Sequence, residues 1–136
     1  MTIQYNATTR NAKLDAIETT NLTSCSMEIR TTAQPANCAA ASTGALLCTI
    51  NLPSDWMGAA AAGSKAKAGV WSATASGSGT AAHFRLYNSQ ATKDGTTCFM
   101  QGTIGQGSGD LSLDNTTIAS SQTVTINTFT INDGNP

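Results

Sequence analysis

A chain of 136 residues is long enough to bury one real core and too short for two domains. Charged residues make up 11% and aromatics 5% of it, against about 25% charged in ordinary soluble proteins, and Thr, Ser, Ala, Asn and Gly fill the difference. Lys+Arg 7 against Asp+Glu 8 gives a net charge of -1; the basic side chains are scattered rather than gathered on the cationic face that nucleic acid requires, and no run approaches the ~20 apolar residues of a membrane helix.

The amino-terminal segment Met1 to Asn6 has neither a basic nor an apolar signal region, which predicts a product made and kept in the cytoplasm. Within it Ile3 and Tyr5 are apolar residues in a polar arm, suited to pairing with a neighbouring sheet edge. Thr8 to Asn21 reads as a helix, with Thr8 or Thr9 as its cap and Leu14 and Ile17 three apart on a narrow apolar stripe. So short a helix needs a surface to dock on, while Lys13, Asp15 and Glu18 are expected in solvent. Residues 1–22 form this arm and helix, and 23–136 the β domain.

Short segments separated by turn residues follow: 27–32, 45–52, 69–75, 82–88, 98–104, 110–113 and 122–132. This punctuation predicts a mainly β fold, an antiparallel β-sandwich of jelly-roll type with one short N-terminal helix. Phe84 and Leu86 alternate with His83, Arg85 and Tyr87, placing the apolar row inward and the polar row toward solvent. Val124 and Ile126 have the opposite parity to Phe129 and Ile131, which asks for a bulge near Asn127 or Thr128 or for a strand covered on both faces. The Ala-rich stretch Met57 to Gly63, after Pro53-Ser54-Asp55, suggests a brief helical turn.

Reactive constellations are missing from this pattern. His83 is the single histidine and has no acidic neighbour in sequence, so neither a nucleophile-base pair nor a zinc site is expected. Cys25, Cys38, Cys48 and Cys98 lack C-x-x-C spacing; Cys48 alternates with Ile50 and reads as core, and the other three stay open. Asp110 and Asp114 read as turn residues rather than an acid-base pair. Gly105 to Asp110 lacks the Lys-Ser/Thr of a phosphate loop and the acidic ladder of a calcium loop, leaving a plain hairpin connection. The sequons at Asn6, Asn21 and Asn115 are chance products of an Asn- and Thr-rich chain. Trp71 is expected in the core, and Trp56 is open between core and surface.

The runs Thr9 to Thr20, Pro35 to Ala40, Leu52 to Met57, Gly79 to Arg85, Gly95 to Thr103 and Leu113 to Thr116 together resemble a family of small virion structural proteins of tailed bacteriophages. The resemblance covers most of the chain, departs at Asn21 to Ala33, and brings no catalytic residue with it. It implies a minor capsid or decoration protein that sits on the major capsid protein lattice, outside the head, as a homotrimer made in the bacterial host's cytoplasm. No enzyme activity, cofactor or metal is expected.

The weakly charged surface points to association independently. Candidate assembly contacts are Ile3, Tyr5, Arg10, Leu14, Ile17 and Trp56. The alternative is a tail- or neck-associated module that binds a host-surface glycan or receptor, for which Trp56 and Tyr87 would line one open groove.

Overall fold

The computed structural model describes residues 2–21 and 23–134, and it is mainly β, with an N-terminal helix and several sheets. The helix, α1 (Ala7–Asn21), starts one step earlier than the threonines suggest. Its cap is Asn6, whose Oδ1 accepts the Thr9 amide at 2.9 Å while its carbonyl accepts the Arg10 amide at 3.1 Å. At the other end Asn21 Nδ2 donates to the Ile17 carbonyl at 2.6 Å, occupying one of the carbonyls that a helix end leaves open.

The strands are β1 (Ser26–Arg30), β2 (Leu46–Asn51), β3 (Ser64–Ala66), β4 (Trp71–Thr74), β5 (Gly79–Thr80), β6 (His83–Tyr87), β7 (Cys98–Gly105), β8 (Leu111–Ser112), β9 (Thr117–Ile118), β10 (Thr123–Ile126) and β11 (Thr130–Asn132). A five-stranded sheet of order β2-β1-β6-β7-β8 curls strongly into a half-barrel, and the pairs β10-β4, β11-β3 and β5-β9 complete the β body. An aromatic chain runs through the core. Phe99 lies 5.7 Å from Trp56, Trp56 6.2 Å from Trp71, Trp71 5.4 Å from Phe129, and Phe129 5.6 Å edge-on to Phe84, between ring centroids.

Four expectations are corrected. The polar row of β6 does not face water: His83, Arg85 and Tyr87 are all 0% exposed. The segment between β1 and β2 folds over that face, and its backbone and hydroxyl groups take up the row's hydrogen bonds. Residues 57–63 make no helical turn. Met57 pairs with Lys67 and Ala61 with Ser64 around Ala62 (φ 51°) and Gly63 (φ 77°), the two left-handed residues of a tight hairpin.

The third correction concerns 105–110, where the expected hairpin turn forms, with Ile104 bridged antiparallel to Gly109, but the chain then turns again so that β8 runs parallel to β7, with Ile104 opposite Leu111 and Gly105 opposite Ser112. The chain turns twice because the Asp110 carboxylate accepts the Thr103 amide at 2.8 Å and its hydroxyl at 2.9 Å, while the Asp110 amide donates to the Thr103 carbonyl at 3.1 Å. Last, 122–132 is two strands. β10 pairs with β4 and β11 with β3, so the parity change at 127–129 is a passage between sheets, and Val124, Ile126 and Phe129 are all buried.

Candidate functional site

The six expected assembly residues separate into two groups. Ile3 is 73% and Tyr5 44% exposed, on the extended segment ahead of α1. Leu14 is buried and Ile17 packs against the core of the same chain. Arg10 Nε donates to the Asp133 carbonyl at 2.6 Å, and Lys13 meets the Asp133 carboxylate at 2.8 Å. Trp56 is 0% exposed, so the contact role expected for it is corrected: its ring has no surface to offer. Leu14 is withdrawn on the same ground.

The sequence put Asp15 and Glu18 on the surface; Asp15 is 47% exposed there and Glu18 21%, and both carboxylates reach Lys65, whose side chain is 2% exposed. Lys65 Nζ lies 2.7 Å from Asp15 Oδ1, 3.0 Å from Glu18 Oε2 and 2.7 Å from the Gly58 carbonyl, three acceptors for the three donors of an ammonium. Asp15 Oδ1 also accepts the Ala60 amide at 3.0 Å, and Glu18 Oε1 the Met57 amide at 3.2 Å. Burial pulls the Lys65 ammonium down, yet its hydrogen bonds to Asp15 and Glu18 outweigh burial and hold it above the usual lysine range. The Lys65 hydrogen bond in turn holds Asp15 below the usual carboxylate range. Helix and hairpin are thereby tied together, and the arm ahead of them meets the helix at Tyr5, whose ring lies 4.6 Å from Lys13 Nζ.

The second polar assembly is internal. Arg85 donates to Cys98 Sγ at 3.3 Å, Ser42 Oγ at 2.9 Å and the Cys38 carbonyl at 2.6 Å. Tyr87 Oη lies 3.0 Å from Ser42 Oγ and donates to Glu28 Oε2 at 3.2 Å; Glu28 Oε2 also accepts Arg30 Nε at 2.8 Å. His83 Nδ1 is 2.8 Å from the Thr32 carbonyl, which fixes it as the donor, and Nε2 is buried with no hydrogen-bond partner among the described residues. Burial pushes His83 below the ordinary histidine value. These groups hold the 31–45 segment to the sheet; with His83, Arg85 and Tyr87 fully covered, they present nothing to a substrate.

The four cysteines are unbridged, and Cys25, Cys48 and Cys98 are buried while Cys38 is half-buried. Burial pushes the Cys25 and Cys98 thiols up to about 11, far from the nucleophilic range. Among the described residues no group of three or more His, Cys, Asp or Glu is placed to hold a metal ion. None of the described helical residues forms a helix long and apolar enough to cross a membrane.

Sequence reasoning missed two surface features. Val70 is 76% exposed beside buried Trp71; β-strand alternation around Trp71 would have signalled it. A crevice of about 460 Å³ opens between β7 and β11, with Phe84, Met100, Phe129 and Ile131 among its lining residues. No local pattern announces it, because its walls come from segments about thirty residues apart. No protein-family model, curated protein or solved structure matches the chain.

Proposed function

We propose that the chain is a non-enzymatic structural protein of a tailed-bacteriophage virion, a minor capsid or decoration protein that binds the major capsid lattice as a homotrimer on the outside of the head. The observation that carries this reading is the arm: Ile3 is 73% exposed and Tyr5, its ring beneath the Lys13 ammonium at 4.6 Å, 44% exposed on an uncharged segment, while α1 behind it is fixed through Lys65 and Asp133. Exposed apolar residues on a segment rooted in a fixed helix suit contact with a neighbour. The resemblance carried by 9–20, 35–40, 52–57, 79–85, 95–103 and 113–116 supports the virion setting, and the weak charge supports close packing of copies.

The same reading takes the β body for a jelly-roll-like sandwich, supported by β6, whose five residues are all buried and therefore covered on both faces. A glycan-binding module at the tail or neck loses its aromatic platform, since Trp56 and Tyr87 are both 0% exposed.

Two measurements on particles test the proposal. Imaging of virions is expected to find the protein on the capsid exterior, and virions depleted of it are expected to lose infectivity sooner on heating or chelation. Density at the tail, or unchanged resistance, overturns it.

A further inference from the structure

The crevice between β7 and β11 has strand edges on both sides. In an antiparallel ladder successive residues turn their backbone groups alternately to one neighbour and the other. On β11 the Phe129 carbonyl accepts the Lys67 amide at 2.8 Å and the Asp133 amide donates to the Gly63 carbonyl at 2.9 Å. That parity points Phe129, Ile131 and Asp133 at β3, and turns the backbone of Thr130 and Asn132 to the crevice they line.

On β7 the Ile104 amide donates to the Ala82 carbonyl at 2.8 Å, so Ile104, Gly102 and Met100 point at β6 and Thr103 and Gln101 point away from it. Asp110 covers that outer edge at Thr103, and β8 pairs only from Ile104 onward. Gln101 lines the crevice. Its lining is mixed: Met100 and Ile131 are half-buried and offer apolar surface, Phe84 and Phe129 lie buried behind them, and Gln101, Asp110, Thr130 and Asn132 are polar.

The arm has the complementary pattern. Thr2-Ile3-Gln4-Tyr5-Asn6 alternates polar and apolar residues with the period of a strand and carries no charge. At ~3.3 Å per residue these five residues reach about 16 Å, longer than the three-residue β11 they would lie beside. In the single chain Ile3 is 73% exposed, so the chain's own crevice does not hold it.

We infer that the arm of one copy enters the β7–β11 crevice of a second copy as an added strand, with Ile3 and Tyr5 against the half-buried Met100 and Ile131 of its lining. Donor and acceptor are different surfaces of one chain, so the contact is head-to-tail and closes into a ring when the rotation permits. Main-chain bonds to Gln101, Thr130 and Asn132 supply affinity, and the alternating pockets set the register. This inference rests on the self-association in the proposed function and is independent of where on a particle the protein sits.

Light scattering on the full chain, on Ile3→Asp and on a chain lacking residues 2–5 tests it, with near-ultraviolet circular dichroism as the folding check. The expected result is a multiple of 13.9 kDa for the full chain and a folded monomer for both variants. Isotope-labelled Gln4→Cys mixed with unlabelled Thr130→Cys, two positions on the face turned away from the crevice floor, is expected to give a disulfide-linked peptide joining positions 4 and 130 of different chains. If the variants keep the full-chain mass, or no 4–130 link forms in the oligomer, the inference fails while self-association stands. A full chain that stays monomeric at every concentration overturns both, and a 4–130 link confined to single chains of a Gln4→Cys/Thr130→Cys double variant assigns the crevice to the chain's own arm.

Discussion

Lys65 and Asp15 are fifty residues apart in sequence and 2.7 Å apart in space, and the lysine side chain is 2% exposed where the aspartate is 47% exposed. The cation is therefore the committed partner. It lost its water on folding, whereas Asp15 keeps much of its own.

Replacing that cation tests the asymmetry. Lys65→Met retains the apolar stem and removes the three hydrogen bonds, and the carboxylates left behind can regain solvent. A loss of about 1–3 kcal/mol is expected, read as a lower urea midpoint at unchanged slope. Asp15→Asn keeps the Gly58 and Glu18 contacts and is expected to cost less. Equal losses for the two variants would place the energy in the exposed pair instead.

His83 gives a pH dependence whose sign follows from burial, the largest influence on it, which lowers its proton affinity against the opposing hydrogen bond to Thr32. The unfolded chain takes up a proton near 6.5 while the folded chain resists. Stability is full above 6.5, falls as the pH drops below it, and stops falling on this account at the depressed folded value. His83→Gln is expected to flatten denaturation midpoints across that window, and an unchanged slope would remove the role.

The thiols should react in an order set by burial. Cys38 is expected to take up a disulfide reagent first in the native protein at pH 8, with Cys25, Cys48 and Cys98 reacting only on unfolding. Counting thiols released before and after denaturant checks this, and prompt reaction of all four would show that the core opens readily.

Gly102 is an overpacking test. A Cβ there would lie 2.7 Å from Phe84 Cε1, 2.8 Å from Cζ and 3.0 Å from Asp110 Cβ, and the Phe84 ring is already held edge-on by Phe129. Gly102→Ala is expected to destabilise by about 1–3 kcal/mol, visible as a melting point lowered by roughly 3–10 °C.

Much of the β order was legible because turn residues bracket each strand: 46–51, 83–87 and 98–105 lie within one or two residues of where Gly, Asn and Pro put them. The helix was legible from Leu14 and Ile17. What escaped reading depends on distant chain. His83, Arg85 and Tyr87 alternate as a solvent row should, and only the segment from Thr31 to Ala45, folding back over them, reverses their environment. Asp15 and Glu18 look like surface charges until Lys65 arrives from a hairpin fifty positions on. The parallel β8 was hidden because a five-residue connection ordinarily makes a hairpin, and the three Asp110–Thr103 hydrogen bonds that redirect it are not a local propensity.

The clamp between Arg10 and Asp133 spans 123 positions. A ribosome releases the helix long before it releases the aspartate, and the partner of β3 arrives equally late. The nascent protein can tie its helix to Lys65 early, but β3 waits for its partner and Arg10 for its clamp until the last strand emerges, a schedule that puts the longest-range closure last. Any chain stopped short of Asp133 keeps the Lys65 tie and loses the Arg10 and Lys13 contacts.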